Sequence, residues 1–358
     1  MTKAVLFHST SKTWEMVDVD RPDPGDGEIL VKVLGCTICG SDLHSVAGRR
    51  ETPCPIILGH EIVGEIVECG KRGSHYSIDG VPLAVGDRVV WSVVASCGQC
   101  FYCLRALPQK CTGGRKYGHS KFRSVRDLTG GFAEHVLLVA GTQCQKISKQ
   151  IPLELACPVG CATATAVAAV EACDVHQDGS AMVIGGGLVG LMTCALLKHH
   201  GVRNICCVEP NSCRLSFATQ FGATHSRLEM DRATIAELTS DFGFDAVIEC
   251  SGQNVAYEVA SNSVRLGGTI VLVGAVFPTS PVPVVLERIV RRNLRIVGIH
   301  NYTPKHFLAA VSFTEQLAKT FRPGSIVNRW FELADLADAI QYAEQVRPLR
   351  VGLYPESR

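Results

Sequence analysis

The chain has 358 residues, of which 46% are hydrophobic and 19% charged, and its formal net charge is +1. Length and composition fit two domains of ordinary size in a compact soluble protein. The near-zero charge argues against a nucleic-acid-binding surface and against an acidic tail. The opening segment MTKAVLFHSTSKTWEMVDVD has no cationic stretch followed by a long apolar run, so it does not read as a signal peptide. Apolar stretches elsewhere are broken by glycine or polar residues before they reach membrane-span length. The expectation is a cytoplasmic protein without membrane or nucleic-acid partners. Its 17 cysteines are an odd number, and a disulfide framework is not expected in a long chain without an export signal. Metal ligation and buried thiols account for them better.

Taken in chain order, the first half reads as short β segments at 28–33, 62–67, 88–94 and 133–139. Pro22, Pro24, Gly25, Gly27, Gly86-Asp87 and Gly130-Gly131 separate them. The pattern changes near residue 155, where 155–175 is rich in Ala and Val. Strand and helix then alternate: strand 180–184, helix 188–200, strand 205–209, helix 213–221 and strand 245–249. Helix 255–266 and strand 269–273 follow. That rhythm predicts a parallel sheet covered by helices, an α/β arrangement beside a mostly-β first domain. From about Asn301 the tail carries two helical stretches and a strand at 350–354, and it is expected to rejoin the first domain. The expected boundaries are 1–155 with 301–358 for one domain and 156–300 for the other. No internal repeat is present.

Cys97-x2-Cys100-x2-Cys103-x7-Cys111 is the strongest single motif. Four thiolates suit a tetrahedral zinc with no open position, hence a structural site, in a lobe at about 95–113. An iron–sulfur cluster and unrelated buried thiols are the alternatives. A second set comprises Cys39-Gly40-Ser41-Asp42-x-His44, Gly59-His60-Glu61 and Cys161. A Cys–His–Cys set leaves one zinc position open, as catalysis requires. Glu61 either ligates the metal or supports its neighbours. Cys36-x-x-Cys39 resembles a redox pair, but no βαβ unit surrounds it, and Cys36 reads as a packing thiol.

Gly185-Gly186-Gly187-Leu188-Val189-Gly190 gives G-x-G-x-x-G directly after the strand at 180–184 and at the start of a helix. In that context the glycines allow a tight turn and close approach to a pyrophosphate. Glu209 follows the third glycine by nineteen residues and suits the adenosine ribose hydroxyls while repelling a 2′-phosphate. Pro210 and Asn211 come next, so NAD is expected over NADP. Arg214 could flank either cofactor.

Together these motifs, with Gly131-Phe132-Ala133-Glu134 and Gly64, resemble the zinc-dependent medium-chain dehydrogenase/reductase family, which includes alcohol and sorbitol dehydrogenases. The resemblance spans essentially the whole chain. It implies a GroES-like catalytic domain and a Rossmann domain, two zinc ions per chain, NAD, and an alcohol or aldehyde as substrate. It implies Cys39, His60 and Cys161 as ligands of the catalytic zinc, with Glu61 exchanging with water and Asp42 orienting His60. It implies that Ser41 takes the alcohol proton and His44 relays it to solvent. Val189 would pack behind the nicotinamide, Leu188 belongs to the same loop, and Thr165 lies near that end of the cofactor. A homodimer or homotetramer is implied. Gly48-Arg49-Arg50 and the segment Gly298 to Pro304 resemble a bacterial branch associated with phosphonate breakdown, which implies a small anionic alcohol with Arg49 or Arg50 as its anchor. A zinc-free quinone or enoyl reductase and a non-catalytic NAD-binding protein are the competing readings.

Overall fold

The strand Ile29–Ile38 is buried along almost its whole length, and both of its edges are paired. On one edge it pairs antiparallel with Glu61–Cys69. On the other it pairs with His135–Leu138 at its start and with Arg350–Tyr354 at its end. A computed structural model describes residues 1–9, 12–71, 75–321, 324 and 326–355. The chain divides into two compact units, Met1–Ala164 with Thr303–Arg358, and Thr165–Tyr302.

In the first unit the seven-stranded sheet runs Val327–Glu332, Arg350–Tyr354, Ile29–Ile38, Glu61–Cys69, Arg88–Trp91 and Cys144–Lys146, with His135–Leu138 attached to the third of these. Phe7, Ile56, Leu58, Tyr117 and Phe132 are fully buried in its core. Each such side chain contributes about 1.5–3 kcal/mol by leaving water. Thr2–His8 and Thr13–Val19 form an antiparallel hairpin that no sequence signal marked, because the residues joining them include neither Gly nor Pro.

The second unit holds a six-stranded, wholly parallel sheet. Its order is His225–Arg227, Asn204–Val208, Ser180–Ile184, Phe244–Glu249, Val264–Leu272 and Arg295–Gly298. Counted along the chain this is 3-2-1-4-5-6, the doubly wound order, whose first strand feeds the glycine loop. Among the described residues no single helix is long and apolar enough to cross a membrane.

Three expected elements differ in detail. The apolar run at 155–175 is not one helix. It divides into Leu153–Ala156, a 3₁₀ turn Cys157–Gly160, and Ala162–Cys173. Pro158 lacks the N–H that a continuous helix needs, and Cys161 sits at φ −135°, outside helical space. The helix expected at 213–221 is only Ser212–Leu215. The stretch at 88–94 ends as a strand at Trp91, and Val94–Ala95 turns away to pair with Arg115–Lys116.

Candidate metal centres and nucleotide loop

The register of three neighbouring strands assembles the buried site. Thr37 lies opposite Glu61 on one side and Gly352 on the other. The end of Ile29–Ile38 and the starts of the other two strands therefore share one edge of the sheet. Cys39 follows the first strand, Glu61 opens the second and Arg350 opens the third. Cys161 enters from the 3₁₀ turn Cys157–Gly160. The ligand atoms of Cys39, His60, Glu61 and Cys161 all lie within 4.8 Å of one another.

Asp42 locks two of these groups in place. It is fully buried in the short helix Gly40–Val46. Its Oδ2 accepts the Cys39 N–H at 2.9 Å. Its Oδ1 accepts the Gly59 N–H at 3.3 Å and lies 3.2 Å from His60 Nδ1. His60 Nε2 is thereby left for the site, where Ser41 Oγ lies 3.2 Å away. Burial presses the His60 imidazole toward its neutral form, but the Asp42 carboxylate overrides it and raises the ring's pKa to about 10.

The Cys161 thiol bonds the Cys39 sulfur and draws the Cys39 pKa well below the ordinary thiol range, against the effect of burial. The same bond, with burial, pushes Cys161 up. Arg350 Nη2 also donates to the Cys39 sulfur at 3.6 Å. Cys39 is thus poised as a thiolate, the form that binds metal.

Glu61 is differently occupied. Arg350 Nε and Nη2 donate to its two oxygens at 2.6 and 2.7 Å, and the Thr37 hydroxyl donates at 2.6 Å. Burial raises the Glu61 pKa while Arg350 opposes that rise. Neither Arg350 nor Thr37 stood among the sequence candidates. His119 was missed as well, and its ring lies 4.7 Å from that of His60.

In the lobe, Cys97, Cys100, Cys103 and Cys111 also converge within 4.8 Å. Their sulfurs are 3.5 Å apart for Cys100–Cys103, 3.8 Å for Cys100–Cys111 and 3.4 Å for Cys97–Cys111. Tetrahedral zinc with Zn–S of about 2.3 Å places sulfurs about 3.8 Å apart, so the set fits that ion. Backbone N–H groups, that of Cys103 first, lower Cys100 to about 5. The paired strands Val94–Ala95 and Arg115–Lys116 close the base of the lobe.

In the second unit Gly185 adopts φ +110°, and a Cβ on Gly190 would stand 1.9 Å from the Gly185 carbonyl oxygen. The loop therefore requires glycine at both points before the helix Leu188–His199 begins. The Glu209 carboxylate accepts N–H groups from Gly186 at 2.7 Å and Asn211 at 2.9 Å. Gly187 and Val189 are half-buried in this turn, and Leu188 is buried. Arg214 lies in the helix Ser212–Leu215, and Thr165 in Ala162–Cys173. Glu249, not anticipated, ends a neighbouring strand and accepts the Ser251 and Gly252 N–H groups at 2.6 and 2.7 Å. It shapes the turn against which Gly185 packs.

Two family models match this chain: the alcohol dehydrogenase GroES-like domain over residues 25–149 and the zinc-binding dehydrogenase over residues 189–316. L-threonine 3-dehydrogenase of Serratia proteamaculans is 31% identical over 80% of each chain. This chain belongs to the zinc-type medium-chain dehydrogenase/reductase family. D-arabinitol dehydrogenase 1 of Uromyces fabae, at 26% identity, covers 98% of this chain and 96% of its own length. The crystal structure of an alcohol dehydrogenase from Thermotoga maritima matches with a TM-score of 0.91 at 28% identity, over 99% of each chain. This medium-chain dehydrogenase is accordingly an oxidoreductase acting on alcohols.

Proposed function

We propose that this chain oxidises a primary or secondary alcohol reversibly to an aldehyde or ketone, with NAD as the hydride acceptor and two zinc ions per chain. The observation that carries this reading is the convergence of the ligand atoms of Cys39, His60 and Cys161, with that of Glu61 beside them but engaged by Arg350. Those three residues hold the catalytic ion, and the four lobe cysteines hold the structural one. Zinc supplies a Lewis acid that lowers the pKa of the alcohol hydroxyl, and the dinucleotide supplies the hydride acceptor.

The protein's own groups place and deprotonate the substrate. Ser41 receives the hydroxyl proton and His44 passes it toward solvent. Asp42 keeps His60 turned with Nε2 inward. Arg350 engages both oxygens of Glu61, which stands beside the other three ligand atoms. Glu209 has lone pairs beyond the two that Gly186 and Asn211 occupy, and these accept the adenosine ribose hydroxyls, favouring NAD over NADP. Thr165 and Val189 lie toward the nicotinamide, with Arg214 flanking the adenosine side. Exposed Val284, Val285, Leu286 and Val290 lie just before the edge strand Arg295–Gly298, which supports assembly as a homodimer or homotetramer.

A metal analysis with an alcohol screen tests the reading. Two zinc ions per chain and reduced-cofactor absorbance with NAD are expected. A chain that takes up no zinc and reduces neither NAD nor NADP with any alcohol overturns it.

A negatively charged alcohol is a second reading of the substrate. Lys116 is half-buried and has no ion-pair partner among the described residues, and the same holds for Arg50. Burial, then the charge of Arg50, lowers the Lys116 pKa to about 8, with Cys161 opposing. Two cations lacking a carboxylate beside the metal cysteine suit an anion carried by the substrate. 3-Hydroxypropionate should then be turned over with a KM at least about tenfold below that of 1-propanol, since one charge-assisted bond supplies about 1.5–3 kcal/mol. Equal KM values remove this reading and leave the first intact.

A further inference from the structure

The short helix Gly40–Val46 ends in a way that governs His44. Ala47 caps it and Gly48 follows with φ +74°. The Gly48 N–H donates to the Ser45 carbonyl at 3.1 Å, and the Arg49 N–H donates to the His44 carbonyl at 3.0 Å. This pair of bonds is the glycine-dependent stop that folds the chain back over the last helical turn. The fold-back returns Arg49 to the flank of His44, where Arg49 Nε donates to His44 Nδ1 at 2.7 Å.

A guanidinium has no acceptor and does not lose its proton in a protein. Nδ1 must therefore be the accepting nitrogen, and the neutral ring carries its proton on Nε2. We propose that Arg49 is a positioning residue that fixes this tautomer, so that His44 takes up a proton only at Nδ1 and only when Arg49 lets that nitrogen go. The bond that breaks is the Arg49 Nε–H···Nδ1 contact. The bond that forms is Nδ1–H, to the alcohol proton passed on from Ser41, giving an imidazolium, and release of that proton to solvent water restores the contact. The effect on catalysis rests on His44 acting as the proton relay, but the tautomer itself does not. The charged groups acting on the ring include Arg49, Arg50 and Cys39. Burial and then Arg49 lower the His44 pKa, Arg50 adds to this, and Cys39 opposes it.

The test uses the zinc-loaded enzyme with ¹⁵N-labelled histidine, and the His44 signals are assigned by their loss in His44→Gln. In the unsubstituted protein the ring nitrogens should report the Nε2–H form. In Arg49→Gln the tautomer should become mixed and the His44 pKa should rise by about half a unit or more, because a cation and a donor to the neutral ring are both lost. A higher pKa keeps the ring protonated to higher pH, so the acid limb of kcat for alcohol oxidation should move up by a similar amount. An Arg49→Gln protein with the tautomer and pKa unchanged overturns the proposal. His44→Gln at full rate would instead sink the relay reading, and the nitrogen shifts would still judge Arg49.

Discussion

The two cysteine centres are built in opposite ways. The lobe draws its four sulfurs from 15 consecutive residues and holds them with turns and backbone N–H groups of the same loop. The buried centre draws on residues 39, 60 and 161, and Arg350 reaches Glu61 from 289 positions away in the chain. A local site depends on its own loop. A distributed site depends on strand register, and its charges are settled by carboxylates and a guanidinium sealed from water.

That contrast is broken most sharply by removing ligands. Cys39→Ser or His60→Ala should lower turnover by on the order of 10³-fold or more with the fold intact, as expected when the Lewis acid is lost. Cys100→Ser should instead lower the melting temperature and leave turnover per folded molecule nearly unchanged. Equal losses of turnover in the two classes, measured on protein of matched folded fraction, would erase the distinction.

The next effect is on stability. Arg350→Met leaves the fully buried Glu61 carboxylate without its guanidinium, which should cost about 3–5 kcal/mol. Adding Glu61→Gln should recover part of that loss. A denaturant titration in which Arg350→Met matches the parent would show that Glu61 does not depend on the pair.

The smallest effect sharpens the comparison by pH. With the His60 pKa at about 10 and Cys161 raised, both groups hold protons near neutrality before zinc enters. Each must lose its proton to become a ligand, so uptake should release protons and tighten as pH rises from about 6 to 9. Calorimetry in buffers of different ionisation enthalpy reads that release. Uptake at the buried centre that is independent of both pH and buffer would contradict these raised values.

How much could be read from the sequence follows from the same contrast. The lobe and the glycine loop announce themselves because spacing alone brings their atoms together. Four of the six parallel strands are equally plain as short apolar runs alternating with helices, whereas Arg295–Gly298 and His225–Arg227 were not marked, the latter because His-Ser-Arg is no apolar run. Glu61 was left open between ligand and support, because its partner lies in the last strand and no spacing rule connects the two. Arg49 could be suggested as an anion anchor, but its bond to His44 depends on how Gly48 stops a seven-residue helix. Lys116 was hidden by its setting. In sequence it is one more cation after the fourth lobe cysteine, and only burial sets it apart.

The origin of Arg350 in the final strand has a bearing on biosynthesis. Cys39, His60 and Cys161 are all synthesised well before Arg350, so until that residue is made and its strand has docked, Glu61 lacks the guanidinium that neutralises it. Maturation of the pocket is thereby deferred until residue 350 is in place, and a product truncated before that strand should fail to retain an ion there.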